Sequence, residues 1–253
     1  MMLPLERHEK LLAYLNKHKA LKVSVVSELL KVTEKTIRLD LEELEKRNLL
    51  QRVHGGAVLR KDTRRLFPEK ERQSSHQNKK SDIALEALKM ITPNEVILLD
   101  GGSTTYALAE LLGEFPVTVI TNDIEIAHNL YAKENVQLTM LGGSQLGATT
   151  SLFGKQTIEA LSHLYVNRLF LGTAGVSITQ GLSVLNSFHY DWKSTVIKRA
   201  KYVTLLADST KFEQVGLMKF AELNELDEVI TDSELDQSIY KQFSSLNCRI
   251  ILA

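Results

Sequence analysis

An α/β protein in two parts is predicted by three features of the 253-residue sequence. From about residue 79 onward, apolar runs such as Val96-Ile97-Leu98-Leu99 alternate with helical patterns, which predicts a mostly parallel sheet covered on both faces. Ahead of them stands a short three-helix pattern closed by a glycine hairpin. The charge divides along the same line. Residues 1–72 carry 17 Lys or Arg against 11 Asp or Glu, and residues 73–253 carry 14 against 20, so a net charge of zero conceals a basic and an acidic segment. Two modules with different partners would give that split, and so would an ordinary solvated surface of uneven charge. The expected organisation is a unit over 1–58, a linker over 59–78 and an α/β domain over 79–253.

Composition narrows the class. An apolar share of 43% and a charged share of 25% exclude a wholly disordered chain. There is no run of eighteen apolar residues of the kind a membrane span needs. Glu6, Arg7, His8, Glu9 and Lys10 stand where a secretion signal would need apolar residues, so a cytoplasmic protein with no membrane partner is expected. The single cysteine, Cys248, excludes an intrachain disulfide and fits a reducing compartment.

Each N-terminal element has its own signal. Leu11, Leu12 and Leu15 share one face of a helix over 5–18. Val25, Val26, Leu29 and Leu30 predict a second helix over 25–31, with Ser24 as its N-cap, and Thr33 suits the cap of a third over 34–47. On that third helix Ile37, Leu41 and Leu44 form a narrow inward stripe, while Lys35, Arg38, Leu39 and Glu42 fall on the far side and Thr36 on the flank. A helix-turn-helix reader puts the start of this helix into the major groove, which makes Lys35, Thr36 and Arg38 the candidate contacts to double-stranded DNA. Arg38 suits either guanine or a phosphate. Leu39 suits a thymine methyl, another part of the protein, or a plain surface position. Residues 48–58 read as two short strands around Gly55-Gly56, a wing whose Arg52 and His54 would lie near DNA or serve as ordinary surface.

Residues 5–58 also resemble the winged helix-turn-helix domain of the DeoR family of bacterial sugar-metabolism regulators. The resemblance rests on Val23-Ser24-Val25, Val32-Thr33-Glu34-Lys35-Thr36-Ile37-Arg38-Leu39-Asp40-Leu41, Leu44-Glu45, Leu49-Leu50 and Arg52-Val53-His54-Gly55-Gly56-Ala57. Two departures stand out: Leu39 where the family usually has a second arginine, and Asn48 where it usually has glycine.

The polar stretch 59–78, with Pro68 inside it, reads as an exposed linker. A helix is expected near 79–90 from Ile83, Ala84, Ala87 and Leu88. Strands are expected at 96–99, 117–120, 136–140, 168–171, 202–206, 227–230 and 248–252. The helices between them fall from 103 onward and near 123–133, 154–163, 191–200 and 234–244.

The loops after these strands carry the chemistry, because ligands in open α/β sheets bind outside the carboxyl ends of the strands. Asp100-Gly101-Gly102-Ser103-Thr104-Thr105 enters a helix and offers amides, hydroxyls and a positive helix end to a phosphate. It lacks the lysine of a Walker loop and the third glycine of a dinucleotide site, so an ordinary tight turn is the alternative and no cofactor is expected. Thr121-Asn122, Gly142-Gly143, Gly172 and Asp208-Ser209-Thr210-Lys211 close other strands. Gathered at one edge, they would line a pocket in which Lys211 meets an anion and Asp100 or Asp208 accepts sugar hydroxyls. The plainer alternative has Asp208 capping a turn and Lys211 wetting the surface.

From about Lys79 to Lys211 the chain resembles the sensor domain of the same family, whose fold is similar to ribose-5-phosphate isomerase and glucosamine-6-phosphate isomerase. The marks are Leu99 to Thr105, Thr121-Asn122, Gly142-Gly143, Leu171-Gly172, Gly181-Leu182-Ser183 and Asp208 to Phe212. The resemblance implies that Ser103–Thr105 hold the phosphate of a sugar-phosphate effector beside Lys211. A homo-oligomer, dimer or tetramer equally, is expected on operator DNA near a carbohydrate operon, since one small reader contacts too few bases, and by the resemblance repression is the expected sign. Ala174 and the aromatic stretch 186–192 depart from the family pattern, consistent with an atypical ligand, or with a lost ligand and a subunit contact. An isomerase is the rival reading, for which Asp100, Asp208 and His189 are the available polar groups; a ligand-independent DNA-binding protein is a third. The seven histidines are scattered without metal-ligand spacing, and no enzyme activity is expected.

Overall fold

The computed structural model describes residues 4–18, 20–46, 50–53, 55–58, 76–146, 149–244, 246 and 248–253. The chain forms two compact units, Met1–Arg65 and Leu66–Ala253.

The first unit contains α1 (Pro4–His18), β1 (Ala20–Lys22), α2 (Val23–Leu30), α3 (Glu34–Lys46), β2 (Gln51–Val53) and β3 (Gly56–Val58). Leu11, Leu15, Val26, Ile37, Leu41 and Leu44 are buried in its core, as the helical periodicity requires. The wing has three strands where the sequence suggested two: β1 and β2 flank β3 in antiparallel order β1-β3-β2. Gly55 takes a left-handed φ of 74° at the turn, and a Cβ on Gly56 would fall on the Leu21 carbonyl; the two glycines therefore serve different needs.

Strand β1 also explains why Ser24 is not a helix cap. Lys22 pairs with Gly56 in the ladder, and α2 starts at once with Val23, whose N–H donates to Gly55 O at 2.9 Å. Lys22 occupies the cap position without a side-chain bond. Thr33 behaves as expected, its hydroxyl accepting from the Thr36 N–H at 3.2 Å. Asn48 and His54 lie outside the described residues.

Most of the stretch read as a linker, 59–75, also lies outside them, and α4 (Gln77–Leu88) begins before that stretch was expected to end. The second unit continues with β4 (Val96–Leu99), α5 (Ser103–Leu111), β5 (Val117–Thr121), α6 (Ile124–Leu130), β6 (Val136–Met140), β7 (Ser144–Gln145), β8 (Leu152–Phe153), α7 (Lys155–Leu161) and β9 (Val166–Leu171). Then follow β10 (Gly175–Ser177), β11 (Gly181–Val184), α8 (Ser187–Val196), β12 (Ala200–Leu206), β13 (Met218–Ala221), β14 (Glu228–Thr231), α9 (Gln237–Ser244) and β15 (Arg249–Leu252).

Seven of these strands form one parallel sheet in the order β15-β14-β12-β9-β4-β5-β6. Alternation sorts its side chains between two apolar cores. Ile97, Leu99 and Phe170 pack with Ile83 and Ala87 of α4 and Leu108 of α5 on one face. Leu98, Leu169 and Leu171 pack with Leu161 of α7 and Trp192 and Val196 of α8 on the other. The sequence reading missed a second, antiparallel sheet, β10-β11-β13. Helix α8 begins four residues ahead of the expected 191, because Asn186 caps it by accepting from the His189 N–H at 3.0 Å.

Candidate functional site

The order of strands fixes where a ligand edge must lie. The chain enters the sheet at β4, steps outward through β5 and β6, then returns to the other side of β4 for β9, β12, β14 and β15. The direction of winding therefore reverses between β4 and β9, the position at which open α/β sheets form a crevice outside their carboxyl ends. The register aligns those ends: Leu99 stands opposite Thr121 and Phe170, Thr121 opposite Met140, and Leu205 opposite Leu171. The loops beginning at Asp100, Asn122, Leu141, Gly172 and Ala207 thus all emerge at one edge.

At the reversal point the central group is a buried ion pair that sequence reasoning missed. Asp100, 1% exposed, accepts from Trp192 Nε1 at 2.8 Å and from the Gly172 N–H at 2.9 Å, and is bridged by the ammonium of Lys193. Lys193 is 4% exposed and also donates to Gly172 O at 2.9 Å. The Asp100 carboxylate is therefore committed to the protein, contrary to the expectation that it accepts sugar hydroxyls. Asp208 behaves as the turn cap of the plainer alternative: it is buried and accepts from the N–H and hydroxyl of Thr210. Lys211, half-buried, follows it and has no ion pair among the described residues.

The other candidates divide between structure and opportunity. Gly101 is required by packing, since a Cβ there would strike Ser151 Oγ and Asp123 Oδ2. Gly102 has only Thr105 Oγ1 near such a Cβ, at 3.5 Å, and caps α5 with no side-chain bond. Thr105 is buried and donates its hydroxyl to Gly102 O at 2.8 Å, whereas Ser103 is partly exposed and Thr104 is buried. Thr121 donates to Leu99 O at 2.8 Å. Asn122 is fully buried and donates to Leu152 O at 2.9 Å, while its Oδ1 has no partner among the described residues. Gly142 is exposed and accepts the Thr157 hydroxyl through its carbonyl; Gly143 is half-buried beside it.

Two lysines fasten helices, Lys79 at this edge and Lys133 at the opposite edge, where β5 and β6 begin. Lys79 of α4 donates to Ser209 Oγ at 2.9 Å and Glu234 at 2.8 Å, and lies 3.2 Å from Asp232. Burial works against its charge, but the carboxylates of Glu234 and Asp232 prevail and hold its ammonium above the ordinary value. Burial likewise opposes the Asp232 carboxylate, which the Ser209 N–H and hydroxyl and Lys79 nevertheless keep below the usual range. Lys133 donates to the carbonyls of Ala109, Glu110 and Leu112 at 2.8–2.9 Å, satisfying the end of α5, and burial lowers its pKa. A pocket of about 410 Å³ opens between α7 and α8, lined by Phe153, Lys155, Phe188, Asp191 and Trp192 among others, and none of the loop residues predicted to hold a ligand lines it. His189 packs edge-on against Phe153 at 4.9 Å, with its Nδ1 2.8 Å from Asn186 Oδ1.

In the first unit the exposed face of α3 carries Lys35, Arg38 and Leu39, with Thr36 partly exposed. Arg38 pairs with Glu34 at 2.5 Å while remaining mostly solvated, so it can exchange that carboxylate for a phosphate or base at little cost. Arg52 is exposed, its N–H donating to Glu45 Oε1 at 2.8 Å. The inner face of α3 holds a second group that the sequence reading did not single out. Asp40, 5% exposed, accepts from Arg7 Nη2 at 2.8 Å, is bridged by Arg7 Nε, and lies 3.0 Å from His8 Nε2. The Asp40 hydrogen bond raises the Arg7 guanidinium above its ordinary value despite burial.

Two family models match the chain: a DeoR-like helix-turn-helix domain over residues 7–63 and a DeoR C-terminal sensor domain over residues 75–233. This protein belongs to the DeoR family. It is 33% identical to the uncharacterized HTH-type transcriptional regulator YulB of Bacillus subtilis, over 98% of this chain and 96% of that protein. It is 33% identical to the L-fucose operon activator of Escherichia coli over 89% and 94%, and 32% identical to the B. subtilis repressor GlcR over 90% and 88%. Ribose 5-phosphate isomerase A from Methanocaldococcus jannaschii aligns over 55% of each chain at 23% identity and a TM-score of 0.40, too low to carry an argument. As a DeoR-family regulator of transcription, the chain has its α3 and wing residues inside the helix-turn-helix match and the loops that begin at Asp100, Asn122, Leu141, Gly172 and Ala207 inside the sensor match. Among the described residues no helix of this regulator is long and apolar enough to cross a membrane, and no cluster of metal-ligating side chains occurs.

Proposed function

We propose that this DeoR-family regulator represses a carbohydrate-utilisation operon and that a phosphorylated sugar, bound at the carboxyl edge of the parallel sheet, changes its affinity for operator DNA. The observation that carries the reading is the winding reversal between β4 and β9, with the amide- and hydroxyl-rich loops of five strands at that edge. In this reading Ser103, Thr104 and the amides of Gly101, Gly102 and Thr105 receive the phosphate, with Lys211 as counter-charge. Thr121, Asn122, Gly142, Gly143 and Gly172 line the remaining space, and Asp100 and Asp208 hold the loops in shape. Lys35, Thr36, Arg38 and Leu39 enter the major groove, with Arg52 and His54 on the backbone.

Two or more copies act together, since one small reader contacts few bases. The named relatives include an activator of an L-fucose operon and a putative repressor of an aga operon, which supports a sugar operon without deciding the sign. The purified protein catalyses no sugar-phosphate conversion in this account; it only prefers one arrangement when the effector is bound.

The test is a gel-shift titration of the full-length protein on duplexes selected from its own upstream region, repeated with a panel of phosphorylated hexoses and pentoses. Binding relieved by one of them, with a matching thermal shift, is the expected result. Turnover of the sugar phosphate without any DNA preference overturns the proposal.

A further inference from the structure

Helix α3 places an apolar side chain where a groove-facing helix ordinarily presents polar ones. Leu39 is 58% exposed, whereas Ile37, Leu41 and Leu44 on the opposite stripe are at most 1% exposed. At about 100° per residue, Leu39 lies roughly 40° from Lys35 and 100° from Arg38, close to the middle of the outward face. Its surface neighbours are Lys35 and Thr36 toward the helix start and the half-buried Glu42 and Glu43 toward its end, with the exposed cations Lys35 and Arg38 both on the N-terminal side of Leu39. The cations at the helix start would draw that end toward the phosphates, with Leu39 on the outward face directly behind them.

Leucine has no donor or acceptor for a base edge. The apolar feature of the major groove is the C5-methyl of thymine. Resting on the groove-docking reading above, we infer that Leu39 is a specificity-determining residue that packs on a thymine methyl. The operator half-site then contains an A·T pair at the base step facing Leu39, flanked by positions facing Lys35 and Arg38. A second copy of this chain is the competing occupant of an exposed leucine, and the methyl group separates the two, because only a DNA contact responds to it.

The experiment begins with selection of random duplexes by the full-length protein, followed by replacement of each consensus thymidine with deoxyuridine, which deletes the methyl and keeps the pairing. The expected result is one thymidine per half-site whose replacement weakens binding about fourfold, the effect of exposing one buried methyl. That sensitivity disappears in Leu39→Ala, and selection with Leu39→Arg moves the preferred base at that position to guanine, which arginine reads through O6 and N7. Equal binding to thymidine and deoxyuridine duplexes at every position, or a methyl effect that persists in Leu39→Ala, overturns the inference while leaving groove docking intact. Failure to select any duplex overturns both.

Discussion

Replacing Asp100 with asparagine tests the buried pair at the centre of the sheet edge. The side chain keeps its shape and can still accept from Trp192, but Lys193, 4% exposed, loses the carboxylate that bridges it and retains Gly172 O at 2.9 Å. Removing one partner of a pair this deeply buried costs about 3–5 kcal/mol, because the remaining charge is stranded. With a urea slope of about 2 kcal/mol/M, the unfolding midpoint falls by roughly 1.5–2.5 M. Trp192 is the only tryptophan in the chain and donates to Asp100 at 2.8 Å, so its fluorescence reports this unit directly. Adding Lys193→Met removes the stranded charge, and the double variant should regain most of the lost stability. A single-variant shift below about 0.5 M, or a double variant less stable than the single one, would refute the assignment of Asp100 as a structural counter-charge.

Other outcomes follow from the same packing. Asp40→Ala strands Arg7 in the interior of the first unit and should lower its stability by about 3 kcal/mol, measured by calorimetry, with operator affinity falling in parallel. Gly101→Ala drives a methyl into Ser151 Oγ and Asp123 Oδ2; a thermal melt unchanged from wild type would contradict that packing. Cys248, buried and with its thiol pushed up to about 11 chiefly by burial, should resist alkylation by iodoacetamide at pH 7 in the native state and react readily in urea. Because the Asp232 carboxyl is held below its usual 3.8, its contribution to stability is complete above that value and is lost as pH falls through the lower native value. Asp232→Asn should therefore flatten the acid limb of the stability curve, read by acid titration of tryptophan fluorescence.

The alternation of apolar strands and helices made most of the fold legible, including all seven strands of the parallel sheet and the loops they align. The helix faces of α1 and α3 were equally plain, since Leu11, Leu15, Ile37 and Leu44 follow the 3.6-residue period. What escaped was non-local. Strand β1 is three residues long and exists only by pairing with β3. In the second sheet β10 and β11 form a local hairpin whose short runs give no pattern of their own, and β13 joins it from a distant part of the chain. Lys193 and Asp100 are separated by 93 positions, and a lysine in a helix reads as solvated by default. Asp40 did leave a signal, an acid on the same stripe as Ile37 and Leu44, with Arg7 and His8 available on α1. Ser24 misled because its residue type suits a cap while the preceding strand leaves it no such position.

The clamp of Asp40 on Arg7 and His8 has a bearing on recognition. It ties α3 to α1 through two side chains of one turn, so the helix is held at a fixed pitch before it meets any duplex. In the groove docking proposed above, less of α3 is then left to order on contact, which lowers the entropic cost of docking. Under the same proposal, a helix tied back in this way has less freedom to shift toward a mismatched base step.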